Sequence, residues 1–356
     1  MHGYGKEKQV KKMKFKIAFI GFGVVGQGLA EILVGKKDWL KEEHDFDYDV
    51  VAISDMKHGS VYMPDGLDLE KVMDMVESGT SLDEYPQGET GWEPLKIITE
   101  SNADVIIEVT YTDMETGGPA LEHVRAALKA KKHVVSTNKG PVATHGRELV
   151  ELARKNDVYY LYEGTVVSGT PVINLARSTL AGCDIKEIKG IVNGTTNYIL
   201  SQMEGGMEYE DALARAQELG YAEADPTGDV EGIDAQGKIQ ILSNMVMGGD
   251  LKLNDVEREG ITKITLDDVK KAKSENMRWK LVGSTMKTDS GIKAKVGPEK
   301  LPLTHPLANV MGPTNALTFS TDLLGEVTII GPGAGKKETG FSLLVDLLEL
   351  KGKAEG

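Results

Sequence analysis

One cysteine, Cys183, stands in 356 residues, so no internal disulfide can form and a reducing cytosol is the expected setting. It has no His or Cys neighbour at a useful spacing and reads as a buried structural thiol. The seven histidines are scattered without metal-ligand spacing, and no transition-metal site is expected. No apolar run approaches the roughly 20 residues that cross a bilayer, and no signal peptide is apparent, so no membrane partner is expected. Positive charge is also short. Against 55 Asp and Glu stand 41 Lys and Arg, and a net charge of −14 opposes a nucleic-acid partner. What is present is a globular composition, 40% hydrophobic with mixed charge, and length enough for two cores. Residues 1–13 are polar and basic and read as a tail ahead of the first strand.

Phe15–Ile20 (FKIAFI) is a strand candidate that ends in Gly21-Phe22-Gly23-Val24-Val25-Gly26, after which QGLAEILVG continues with a helical pattern. Strand, G-x-G-x-x-G and helix, in that order, are what dinucleotide binding needs. Gly21 permits the tight turn, Gly23 lets backbone approach a pyrophosphate, and Gly26 allows close helix–strand contact. Asp49–Ser54 reads as the second strand, with Asp55 either taking the adenosine ribose hydroxyls or merely ending the strand. Asp55 favours NAD, whereas Lys57 and His58 just beyond could hold the 2′-phosphate of NADP. The segment KKDWLKEEHDFDYD reads as an insertion, and residues 59–94 as an elaboration with one helical patch at Leu69–Val76.

Strand Val105–Val109, helix Pro119–Ala130, strand His133–Ser136, helix Thr144–Asn156 and strand Val158–Tyr162 follow. Such alternation is what an α/β fold with a Rossmann-type, doubly wound parallel sheet requires. Ligands of these sheets bind at the carboxyl ends of the strands. Thr110 and the run Thr137-Asn138-Lys139-Gly140-Pro141 are therefore expected at the cofactor cleft. Lys139 is either a cleft residue or an ordinary solvated lysine.

After Tyr162 the pattern changes to that of a second, α+β domain. Glu163–Thr170 (EGTVVSGT) is a Gly/Thr/Ser-rich link before a helix near Pro171–Leu180. A carboxylate beside exposed carbonyls suits a monovalent cation, and a hinge with a capping glutamate explains it equally well. Ile185–Val192 reads as a strand leading into Asn193-Gly194-Thr195-Thr196-Asn197 and a helix Tyr198–Met203, either a plain cap or an anion site. Helix Tyr209–Leu219 runs into AQELGYAEADPTGDVEGIDAQGK, residues 216–238, and a long helix follows from about Ile233 to Met247. Asp234 and Lys238 are four apart and project from one helix face. A carboxylate one turn before a lysine fixes its rotamer and can make it a positioned general acid; the plainer alternative is a surface ion pair. Arg278–Met286, Gly291–Val296 and Ala316–Thr321 look like strands of a separate sheet. Val327–Ile330, GPGAG and helix Phe341–Leu350 repeat the strand–glycine–helix pattern, and the tail is expected to fold back on the nucleotide half with Gly335 near the cofactor. A plain strand-to-helix turn is the competing explanation. The expected division is a tail at 1–13, a nucleotide-binding domain at 14–162 completed by 331–356, and a substrate and dimerisation domain at 163–330.

Taken together, GFGVVG, TNKGP, EGTVVSGTP, NGTTNYIL and the 216–238 run resemble homoserine dehydrogenase from about Lys14 onward. The last run fits that family's pattern through Asp225, Pro226, Asp229, Gly232, Asp234 and Lys238 without a gap. The resemblance implies the short, monofunctional form without a kinase region or an ACT domain. It further implies reversible, NAD- or NADP-linked interconversion of L-homoserine and L-aspartate 4-semialdehyde, in threonine and methionine biosynthesis. Lys238 would be the proton donor in reduction and the base in oxidation. Lys139 would reach the same region from the cofactor side, the two ammonium groups lowering each other's pKa. Glu223 and Asp234 would meet the substrate, with Asp229 in support. Thr110 would touch the nicotinamide side, and Gly335 the cofactor from the carboxyl-terminal tail. A Na+ or K+ site maps onto Glu163 with the carbonyls of Val166, Ser168 and Thr170. Ser168 and Thr170 replace more apolar residues there, which backbone ligands tolerate. A homodimer through the second half's sheet is also implied.

Two other readings are weaker. A phosphorylating semialdehyde dehydrogenase needs a thiolate nucleophile, and Cys183 has no histidine nearby. A non-catalytic nucleotide sensor would have no use for Lys238 and the carboxylates around it.

Overall fold

β1 (Lys14–Ile20) is apolar from Ile17 onward because its alternate side chains enter two different cores, Ile17 and Phe19 on one face and Ala18 and Ile20 on the other. The structure, a computed structural model, describes residues 14–355, and the tail expected over 1–13 lies outside the described residues. β1 pairs in parallel with β2 (Asp47–Asp55) and with β5 (Val105–Glu108). β6 (His133–Ser136) and β7 (Tyr160–Leu161) continue the parallel array. β3 (Gly59–Tyr62) and β4 (Glu89–Thr90) extend the other edge antiparallel, so the order is β4-β3-β2-β1-β5-β6-β7. This is the Rossmann-type sheet expected from the alternating pattern. The elaboration over 59–94 holds these two short edge strands and a helix, Leu69–Ser78, over the expected helical patch, and the insertion folds as helix Lys37–His44 and the start of β2.

The second sheet has six strands: β8 (Ile185–Ile191), β9 (Glu257–Arg258), β10 (Met277–Thr288), β11 (Gly291–Pro302), β12 (Thr314–Thr321) and β13 (Gly325–Pro332). Their order is β13-β12-β8-β10-β11-β9, with β8 antiparallel to both its neighbours. Helices Gly194–Glu204, Ile233–Met245 and Leu266–Ser274 pack on it.

Several expected elements differ in their limits. The helix expected from Thr144 begins at Lys139, because Asn138 caps it through the Gly140 amide and Pro141 is tolerated in a first turn. It kinks at His145, whose φ of −138° is not helical. The helix expected from Tyr198 begins at Gly194, capped by Asn193 on the Thr196 amide. The segment near 171–180 is not one helix but Val172–Asn174 followed by a π turn, Leu175–Thr179. Cys183 is partly exposed rather than buried.

Two close contacts join the molecule. Helix Lys139–Lys155 packs on helix Ile233–Met245, where Gln240 Nε2 donates to the Ala143 carbonyl at 3.2 Å. The carboxyl-terminal helix Lys336–Glu355 lies on the first helix, Val24–Gly35, with Gly340 against the Gly28 backbone and Lys336 Nζ paired to Glu31 at 2.5 Å.

Candidate functional site

Ile20, Glu108 and Ser136 form one register row across β1, β5 and β6, so the residues that follow them line the carboxyl rim of the first sheet. Gly21 turns the chain there at φ +94°, a region that favours glycine, and its amide donates to the Ser54 carbonyl at 2.8 Å. A Cβ on Gly21 would lie 2.6 Å from the Val109 carbonyl, and one on Gly26 3.0 Å from the Gly21 carbonyl. Around Gly23, in contrast, a Cβ would meet nothing within 4 Å. Gly23 caps the helix Val24–Gly35 without a side chain, which leaves the first-turn amides of Val24, Val25 and Gly26 without a capping or intrahelical acceptor. Phe22 turns its ring into the core against Phe19 and presents only backbone. This cradle fits a pyrophosphate.

Asp55 ends β2 and holds the glycine turn. Its Oδ2 accepts the Phe22 amide at 2.7 Å, and its Oδ1 accepts the amides of Lys57 and His58 at 2.8 and 3.1 Å. Thr110 follows β5 beside Gly21 and bonds the buried Glu108 carboxylate through both its hydroxyl and its amide. Asn138 donates to the carbonyls of Thr110 and Tyr111 while capping the next helix, so it fixes the first residue of that helix, Lys139.

From the second sheet's side, Lys238 enters on helix Ile233–Met245. Its Nζ lies 2.6 Å from Asp234 Oδ2 and donates to the Val192 carbonyl at 2.8 Å. Lys139 Nζ approaches the other oxygen, Asp234 Oδ1, at 3.4 Å. One carboxylate thus sits between two ammonium groups, which offsets the mutual repulsion anticipated for them. Asn193 Nδ2 donates to Asp229 Oδ1 at 2.7 Å and to Asp234 Oδ2 at 3.2 Å. Burial alone would raise the Asp234 pKa, but Lys238 and Lys139 overcome it and hold the carboxyl below its usual range. Asp229 shifts the other way: burial raises its carboxyl and the Asp234 charge adds to the rise, which outweighs the Asn193 bond and the Lys238 charge.

The structure therefore brings Lys139, Asp229, Asp234 and Lys238 into one cluster at the rim of the first sheet. Glu223 is not part of that cluster. It is exposed, its carbonyl accepts from Gln217 at 3.0 Å, and its carboxylate makes no bond among the described residues. Gly335 has φ +136° and precedes Lys336, whose carbonyl abuts Gly28 of the first helix. Asn193 and Glu108 carry more of the geometry than their sequence setting suggested. Asn193 read as part of a cap or an anion site, and Glu108 as one acid inside the strand Val105–Val109.

Glu163 is buried, and its oxygens accept the amides of Ile173 at 3.0 Å and Asn174 at 2.6 Å. Of the two readings open in the sequence, the capping glutamate matches these bonds. Its own amide donates to Asp346 on the carboxyl-terminal helix at 3.0 Å. Val167 and Ser168 take left-handed φ values of 49° and 55° in the same link. Ser168 and Thr170 spend their hydroxyls on Thr339 and on the Pro332 carbonyl. Among the described residues no group of three or more His, Cys, Asp or Glu could hold a metal ion.

A Rossmann-type sheet with an open glycine cradle, facing a lysine–carboxylate cluster, defines an NAD(P)-dependent oxidoreductase. The family model described as homoserine dehydrogenase matches residues 171–348, and that of the homoserine dehydrogenase NAD-binding domain matches residues 21–163. The chain belongs to the homoserine dehydrogenase family. It is 44% identical to an NAD(+)-dependent homoserine dehydrogenase of Pseudomonas canavaninivorans, over 95% of this chain and 96% of that one. A homoserine dehydrogenase of Methanocaldococcus jannaschii is 43% identical, over 94% and 98%. A hyperthermophilic archaeal homoserine dehydrogenase solved in complex with NADPH superposes with a TM-score of 0.81 at 32% identity, covering 96% of this chain and 98% of its own.

Proposed function

We propose that the chain interconverts L-homoserine and L-aspartate 4-semialdehyde, with Lys238 moving the proton. The observation that carries this is the Lys238–Asp234–Lys139 cluster at the carboxyl rim of the first sheet. Bound NADH or NADPH would supply the hydride in reduction, and NAD or NADP would take it up in oxidation. Reduction leaves negative charge on the substrate oxygen, which needs a proton donor. A lysine ammonium has three N–H donors. Asp234 and the Val192 carbonyl take two of those on Lys238, which leaves one for the substrate oxygen. In oxidation the same nitrogen, neutral, takes the proton back. Lys139 adds a second positive charge near the developing alkoxide. Asp234 suits the α-ammonium of the substrate, with Asp229 supporting it through Asn193, and Glu223, exposed outside the cluster, would join them only with substrate bound.

On the cofactor side, Gly21 to Gly26 and the first-turn amides hold the pyrophosphate, Asp55 the adenosine ribose, and Thr110 and Gly335 the remainder. The Asp55 carboxylate would repel a 2′-phosphate, which supports NAD as the preferred form. Residues 14–162 with 331–356 form the cofactor half, and 163–330 the substrate half. For a Na+ or K+ ion at Glu163, Val166, Ser168 and Thr170 the support is oxygen-donor chemistry alone, and the Glu163 bonds favour the cap. The enzyme would serve threonine and methionine biosynthesis in the cytoplasm, as a homodimer.

The test follows nicotinamide absorbance with homoserine and each cofactor, with and without monovalent salt. Turnover is expected with NAD, and its absence with both cofactors in a folded, NAD-binding sample would favour a sensor instead. Lys238→Ala is expected to lower kcat by about 100-fold or more while cofactor affinity stays within a few-fold. Near-normal turnover in that variant would remove Lys238 from the mechanism.

A further inference from the structure

Glu108 is a fully buried acid at the end of the interior strand β5, and the proton transfer described above makes no use of it. Its Oε1 accepts the Thr110 amide at 3.3 Å and lies against the Thr110 hydroxyl. His123 Nδ1 is 3.5 Å from the same oxygen. The Ser136 hydroxyl, 3.5 Å from Oε2, donates to the Glu108 carbonyl at 2.7 Å and accepts the Asn138 amide at 3.0 Å.

An amide N–H can only donate, so Oε1 is an acceptor on that side. The Thr110 hydroxyl has one hydrogen, and with that hydrogen on Oε1 only lone pairs remain for the cleft. We infer that Glu108 is a positioning residue that fixes the polarity of Thr110, making its hydroxyl an acceptor for the carboxamide N–H of the cofactor. This rests on the reading of Thr110 as the residue at the nicotinamide end. The buried acid thus selects which edge of the carboxamide faces Thr110.

The probe is 3-acetylpyridine adenine dinucleotide, in which a methyl ketone replaces the carboxamide and removes its N–H. Dissociation constants of NAD and of this analogue are measured for the full chain, and their ratio is compared between variants. Loss of one neutral hydrogen bond is worth about five-fold. Thr110→Val is therefore expected to reduce the wild-type preference for NAD over the analogue by about five-fold, while Thr110→Ser keeps it. Glu108→Gln, which retains an acceptor oxygen, is expected to keep the preference, and Glu108→Leu to lose it. If Thr110→Val weakens both dinucleotides equally, Thr110 is a donor to the carbonyl and the inference fails, while Thr110 stays at the nicotinamide end. If Thr110→Val changes neither affinity, that placement fails as well. A wild-type ratio in folded Glu108→Leu would show that Glu108 does not set the polarity. Should Glu108→Leu not fold, the Thr110→Val and Thr110→Ser pair decides the polarity alone.

Discussion

Glu163 gives the residue scale its clearest pH signature. Burial pushes its carboxyl up to about 7, against the pull of the Asn174, Ile173 and Val172 amides. A carboxyl whose folded pKa lies above its unfolded value of 4.5 holds its proton more tightly in the fold. Its favourable contribution is therefore complete below about pH 4.5 and lost as pH rises through about 7. At 1.36 kcal/mol per unit the gap is worth about 3 kcal/mol. Asp346, raised by burial and then by the charge of Glu163, acts in the same direction. Urea denaturation of wild type and Glu163→Gln at pH 5 and pH 8 is expected to show wild type losing about 2–3 kcal/mol relative to the variant at the higher pH. Parallel stabilities at both pH values would mean that Glu163 titrates normally in the fold. At the lysine–carboxylate cluster, what was legible in sequence was local. The i,i+4 spacing of Asp234 and Lys238 sets their pairing by helix geometry alone. The Asn193 bridge to Asp229 and Asp234 joins residues 36 and 41 positions apart and depends on how β8 meets the following helices. No spacing rule encodes that. Glu108 was hidden for a related reason, since an acid in an apolar strand declares its partners only when β6 is beside it.

At the scale of elements, apolar periodicity made the strands and the long helices legible, while helix starts were not. Gly140-Pro141 and Gly194-Thr195 carry turn signals, so both helices read as starting later than they do. In each case an asparagine cap overrides the signal by taking a first-turn amide. The return of the carboxyl-terminal helix was expected from a repeated pattern, but its seat is a backbone contact that composition does not reveal. A Cβ on Gly340 would lie 2.5 Å from the Gly28 carbonyl carbon and 2.6 Å from the Leu29 amide nitrogen. Neither atom can rotate away, so the helices would have to separate and loosen Leu343, Leu344 and Leu347 from the core they share with Leu29 and Leu33. Gly340→Ala is expected to destabilise the protein by about 1–3 kcal/mol. Gly352→Ala, in the same helix with nothing within 4 Å, is the matched control. There the helix propensity of alanine should stabilise by up to about 1 kcal/mol. Thermal denaturation of the two variants checks the contrast, and equal shifts of one sign would discount the crossing.

At the scale of the whole molecule, the second sheet ends in two unlike edges. β9 is two residues long, whereas β13 runs for eight and carries Ile330 at 56% exposure, with Leu323 and Leu324 at 70% and 62% on the adjoining turn. A long, apolar edge strand is a liability for a monomer unless something covers it. Two chains of net charge −14 repel each other, so apolar contact and edge-strand pairing have to offset that repulsion at this surface. A second copy of the chain, paired through this sheet, is the occupant that the proposed homodimer requires. Light scattering after size-exclusion chromatography is expected to give twice the 38.5 kDa chain mass. Because the contact is apolar, added sodium sulfate should strengthen it. Leu324→Glu combined with Ile330→Glu should yield a folded monomer that still binds NAD, since the glycine cradle lies on the other sheet. A wild-type mass of one chain at micromolar concentration would remove the homodimer, and a variant that stays double would move the interface away from β13.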